Sequence, residues 1–183
     1  MNHIIRWGFA LALLPVAACT TNPVNPAAST VPQPVVPSPT VNAADQQFAM
    51  QAAASDQFEI QSSQAALQMS HNPRVRQFAQ HMIDDHTQTT QQLTQIATGK
   101  NMTLQPALDP QQQKMLSDLQ AMRPGPAFDR AYLHDQVVGH TAAVQVFQNE
   151  ITNGSDPDLK DFAQRTLPII QNHLRDARRL GGR

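Results

Sequence analysis

The chain has 183 residues, with 13 basic and 14 acidic side chains and a formal net charge of −1. That near balance gives no electrostatic case for nucleic-acid binding. A lone cysteine, Cys19, excludes an internal disulfide, and no glycine-rich phosphate loop, paired CxxC or GxSxG motif occurs.

The N-terminus reads as a targeting segment. Arg6 precedes a short apolar run, "WGFALALLPVA", which is too brief to stay in a bilayer as a spanning helix. The run ends in small residues, "VAAC", as a signal peptide does. Cys19 stands where the cut would fall, and the stretch resembles the lipobox of bacterial lipoproteins. The resemblance implies a signal peptide over residues 1–18, lipidation of Cys19 and attachment to a membrane through it. The bland alternative is a plain secretory signal with an incidental cysteine. Thr20 rather than Asp follows the cysteine. By resemblance to lipoproteins of Gram-negative bacteria, that implies the outer membrane, facing the periplasm. Removal of the signal takes Arg6 away and leaves twelve basic residues against fourteen acidic.

Residues 19–44 follow as a linker. Its stretch 20–44 holds six prolines and no charge, which predicts a disordered, extended tether rather than a packed element. A folded domain is expected over residues 45–180. It is rich in Gln and Ala and poor in Gly and β-branched residues, which favours helix throughout.

Five helices are expected in order. Asp45 is placed to cap the first, which runs to about Ser70. Asn72 and Pro73 open the second, Asp109 and Pro110 a short third. "MRPGP" ends the third, and the fourth runs from about Pro126 to Asn153. Ser155 or Asp156 caps the fifth, with Pro157 in its first turn, and "LGG" ends it. Pro168 inside the fifth is expected to kink it. Arg175, Arg178 and Arg179 near its end complement the helix dipole. Short turns pair the first helix with the second and the fourth with the fifth. The segment between the pairs is long enough to cross the bundle, so the expected fold is all-α: a ferritin-like four-helix bundle with a short crossover helix.

At 3.5-residue spacing, each long helix places one ionisable residue on its apolar row. These are Glu59, His86, His140 and His173, all near mid-helix. In "HMIDDHTQ", His86 therefore points inward, while His81, Asp84 and Asp85 flank the row or face away. Neutral imidazoles and a carboxylate are ligands for zinc, iron, manganese or copper. A metal would explain why a core tolerates them. The alternative is a buried polar network, in which Glu59 accepts hydrogen bonds from the histidines and fixes the bundle's register. The dispersed methionines, several on apolar rows, read as core filling.

The segments "MIDDHT", "FDRAYLHDQVVGH" and "LPIIQNHL" resemble a bacterial domain-of-unknown-function family, number 4142, over about residues 45–180. The resemblance implies an exported protein, often a lipoprotein, of the ferritin-like superfamily. That superfamily implies a di-iron site built from glutamates and two Glu-x-x-His pairs. This sequence departs from the pattern, because Ile83 and Ile170 stand three residues before His86 and His173. The metal reading is therefore mononuclear and histidine-rich, with Asp85 and Asp135 as outer partners of the ligands.

The sequence admits three functions. The first is a non-enzymatic envelope lipoprotein, a binding module or one acting in stress or surface physiology. The second is a metal-binding protein for storage, sensing or redox that uses Glu59, His86, His140 and His173. The third is an acid–base enzyme, for which the sequence offers no nucleophile or substrate pocket. The preferred reading is the first, with the second as its alternative.

Overall fold

The computed structural model describes residues 41–182, so Cys19 and most of the Pro-rich stretch lie outside the described residues. Five helices form: α1 (Ala43–Met69), α2 (Pro73–Gly99), α3 (Pro110–Ala121), α4 (Pro126–Asn153) and α5 (Pro157–Leu180). Helix α1 begins at Ala43, two residues inside the stretch read as linker. None of the described helices is long and apolar enough to cross a membrane.

Local chemistry sets the boundaries. Asn72, Asp109 and Asp156 each accept amide hydrogen bonds as N-caps, and each is followed by a first-turn proline. Asp109 and Gln112 complete a reciprocal capping box. Helix α4 starts differently. Its cap is Gly125 at φ +131°, a backbone conformation that a side chain would strain. Helix α5 runs unbroken through Pro168, whose position is exposed. Arg178 and Arg179 occupy its last turn.

One expectation is corrected here. Asp45 does not cap α1; Asn42 does, accepting from the Asp45 amide at 2.9 Å. Asp45 is thereby free to act across the bundle. It is buried, and its carboxylate accepts from the amides of Ser155 (2.9 Å) and Asp156 (3.0 Å) at the start of α5. Negative charge beside those amides also complements the helix dipole. Lys100 at the end of α2 reaches the same place, 2.7 Å from both Asp156 and Asp158. Asp45→Ala leaves the two amides without an acceptor and is expected to cost about 2 kcal/mol. Urea denaturation measures it, and an unchanged midpoint would mean that water replaces the carboxylate.

These contacts place the N-termini of α1 and α5 and the C-terminus of α2 at one end. Residues 100–125 then travel the length of the bundle to start α4 at the other end. Helix α1 packs on α2 and α4, α5 packs on α4 and α2, and α3 lies over α1 and α4. This is a four-helix bundle of two antiparallel hairpins joined by one long crossover, the ferritin-like connectivity.

The core is divided into three layers. One end holds Phe48, Phe147, Leu159 and Phe162 with small residues of α1 between them. The other holds Phe78, Met82, Phe128, Tyr132 and Leu133. Burying each large apolar side chain stabilises the fold by roughly 1.5–3 kcal/mol. Met69, Met102 and Met122 pack against these two clusters, as fillers do. Between the clusters lies a buried polar layer of Asp56, Glu59, Ser62, Ser63, His86, Thr89, Gln136, His140, Thr166 and His173.

Candidate metal centre

Three of the helices send a histidine into the polar layer. The rings of His86 (α2), His140 (α4) and His173 (α5) stand 5.6, 5.3 and 5.4 Å apart, a nearly equilateral triangle. All three are buried, at 5%, 1% and 1% exposure. One ligand-capable nitrogen from each lies within 4.8 Å of the other two.

Each ring is held from behind. His86 Nδ1 lies 2.7 Å from Asp56 Oδ1. His140 Nδ1 lies 2.9 Å from the Gln136 carbonyl oxygen. His173 Nε2 lies 2.8 Å from Asp85 Oδ2. A carboxylate or carbonyl can only accept, so each of these nitrogens carries the hydrogen. The opposite nitrogen of each neutral ring is then a lone pair. Those are His86 Nε2, His140 Nε2 and His173 Nδ1, and all three are buried without a hydrogen-bond partner. Buried polar atoms without partners are rare and need a reason. A ring fixed through its far nitrogen by a carboxylate or carbonyl, with a bare lone pair in front, is how protein scaffolds prepare histidine for a metal.

Asp56 is itself well supported. Its other oxygen accepts from the hydroxyls of Thr89 (2.9 Å) and Thr90 (3.1 Å). The sequence reading missed it. The 3.5-residue row that carries Glu59 passes through Ser55, whereas the neighbouring Asp56 is the buried residue. The available signal was composition. Helix α1 has three acidic residues, Asp45, Asp56 and Glu59, and no basic one to pair with them. Asp85 lies on the outer side of His173, as described. Asp135 is half-buried on α4, where burial raises it to about 6, with His134 lowering it and Asp118 raising it.

Glu59 stands behind the triangle. Its Oε1 is 3.4 Å from His140 Nδ1, the nitrogen already directed at Gln136. It is 1% exposed, and neither of its oxygens accepts a hydrogen bond. Gln136 Nε2 donates instead to Ser62 Oγ at 3.0 Å. A Cβ on Gly139 would meet Glu59 Oε1 at 2.8 Å, so this glycine makes room for the carboxyl. Burial raises the Glu59 carboxyl to about 8, against a downward pull from His86.

The histidines diverge in basicity. Burial and the neighbouring charges of His86 and His173 hold His140 well below its ordinary value. Burial and then His86 bring His173 down to about 4. Burial also pushes His86 down, but the hydrogen bond and charge of Asp56, with Glu59 and Asp85, outweigh it and raise the ring. The self-contained network needs Glu59 to accept from imidazoles. The geometry gives Glu59 no such bond and leaves three nitrogens bare.

The fold and the layer together define a helical-bundle protein with a buried trihistidine cluster at its centre. The chain belongs to the family described as Domain of unknown function (DUF4142), whose model matches residues 30–180. No curated protein matches the sequence. Among solved structures, a DUF305 fragment from Deinococcus radiodurans is similar at a TM-score of 0.70 and 14% identity, covering 79% of this chain and 99% of that one. CopM in its Cu(I)-bound form is similar at a TM-score of 0.61 and 20% identity, covering 74% of this chain and 93% of that one. CopM in its Ag-bound form has a TM-score of 0.60 and 19% identity with the same coverage. At these identities the likeness establishes the fold.

Proposed function

We propose that this protein is an exported metal-binding module that holds one transition-metal ion between His86, His140 and His173. The observation that carries the reading is the set of three buried imidazole nitrogens without partners, on rings packed 5.3 to 5.6 Å apart, while their opposite nitrogens are held. Three imidazole nitrogens in a buried layer suit copper or zinc better than manganese, which prefers oxygen donors. The similarity to CopM, solved with copper and with silver, supports copper as the first ion to test. Asp56, Asp85 and the Gln136 carbonyl orient the rings. Glu59 supplies acidity behind His140 and the only buried carboxyl of the layer that accepts no hydrogen bond. The ion, once held, supplies charge that the cluster otherwise lacks.

The test is anaerobic titration of the purified mature protein with Cu(I) against a chromogenic chelator, repeated with Zn(II). One ion per chain retained against the chelator is the expected result. If neither ion is retained, the polar layer is structural and the reading falls.

The physiological setting in this reading is the cell envelope, with Cys19 lipidated and the bundle non-enzymatic. It rests on the lipobox-like "VAAC" and on the uncharged, Pro-rich stretch that follows. Acyl chains would supply the anchoring. Cys19→Ser is therefore expected to move the protein from the membrane fraction to the soluble fraction on cell fractionation. A membrane fraction unchanged by the substitution would remove the anchor from the proposal.

A further inference from the structure

We infer that His81, Asp85 and His173 form a second cation site, open to solvent between α2 and α5, through which an ion reaches the buried cluster. The inference rests on the trihistidine reading for its inner end and on separate residues for its outer end. His81 and Asp85 are four residues apart on α2 and so share a face. His81 Nε2 is 3.3 Å from Asp85 Oδ2, and His173 Nε2 is 2.8 Å from the same oxygen. The His81 and His173 rings stand 5.4 Å apart. One ligand atom from each of the three residues lies within 4.8 Å of the others.

Exposure falls steadily along this line. The His81 side chain is 58% exposed, Asp85 24% and His173 1%. The other outward partners of the cluster are closed. Asp56 behind His86 is 5% exposed, and Glu59 behind His140 is 1% exposed. The apolar clusters seal the two ends of the layer. The Asp85 side is therefore the open one among the described partners.

His173 belongs to both sites by its two nitrogens. Nε2 faces Asp85, and Nδ1 is the buried, unpartnered nitrogen. A neutral imidazole carries one hydrogen. With an ion outside, on Nε2, the hydrogen sits on Nδ1. With the ion inside, on Nδ1, the hydrogen sits on Nε2 and donates to Asp85. Inward transfer thus exchanges the two tautomers and leaves the proton count unchanged. Two nitrogens and a carboxylate oxygen form a donor set suited to Cu(II), which serves as the probe.

The outer site is tested apart from the inner one. His140→Ala, or His140→Gln where the alanine variant loses helicity, removes an inner ligand and keeps the outer three. It is expected to bind one Cu(II) weakly, with an electron paramagnetic resonance signal of mixed nitrogen and oxygen ligation. Adding His81→Ala should weaken that binding by about tenfold or more. In the protein that keeps His140, His81→Ala should slow Cu(II) uptake in stopped flow by a similar factor. Equal Cu(II) affinity with and without His81 overturns the outer site, and equal uptake rates overturn its part as the port. If the parent protein retains no ion tightly while the His81 effect on weak binding persists, the trihistidine reading fails and the outer site stands.

Discussion

Replacing His86 or His140 with alanine abolishes the Cu(I)-dependent rise in melting temperature. An ion present at a hundred times its dissociation constant stabilises the folded state by about 2.7 kcal/mol, which for a domain of this size is roughly 10 °C. Each of these residues contributes one of three bare nitrogens, so neither loss is covered by a neighbour. Asp56→Ala should act more mildly. It removes the acceptor behind His86 rather than a ligand, and such changes weaken metal affinity about 10–100-fold. The metal-free variants also lose stability, because His86→Ala strands Asp56 at a cost of about 1–3 kcal/mol. The measurement is therefore the difference between scans with and without added Cu(I), taken for each protein. A rise of full size in His86→Ala would remove that histidine from the centre.

Glu59→Gln stabilises the metal-free protein, and the gain grows with pH. The folded-state value of Glu59 is about 8, raised by burial from an ordinary 4.5. Below about pH 4.5 the group is protonated whether the chain is folded or not, and it costs nothing. As pH rises towards 8, the unfolded chain releases the proton and the folded chain keeps it, so stability is lost across that window. Glutamine does not titrate. The two proteins should match near pH 4.5 and differ by about 3 kcal/mol at pH 7, at about 1.4 kcal/mol per pH unit. His140 and His173, both lowered, act with the opposite sign. Their contribution is present above the ordinary histidine value and fades as pH falls, but it is common to both proteins and cancels. Urea denaturation at a series of pH values, with chelator present, gives the difference directly. A gap that does not change with pH would mean that Glu59 is ionised in the fold.

The helices and their order were legible in the sequence because their determinants are local. Caps followed by proline open α2, α3 and α5, and composition favours helix between them. The inward histidines were legible for a related reason. A charged or polar residue interrupting an apolar row must face the core, and mid-helix position sets its height in the bundle. The family resemblance follows from the same segments, and the match over residues 30–180 agrees with it.

What only the tertiary structure decided is which groups stand behind those histidines. Asp56 and His86 are 30 residues apart, and His173 and Asp85 are 88 apart. Periodicity assigns a residue to a face but not to a partner, and on α1 the 3.5-residue row through Glu59 meets Ser55 rather than the buried Asp56. The role of Asp45 was hidden for the same reason. As the first acidic residue it looks like a cap, yet Asn42 satisfies that need and leaves Asp45 to bind the start of α5, 110 and 111 residues away. The His86 and His173 rings are held by these distant acceptors, whereas His140 is held by the Gln136 carbonyl one turn back on its own helix. A sequence specifies the residue types that enter a core by burial, but the carboxylates behind His86 and His173 come from other helices, and only packing brings those helices together.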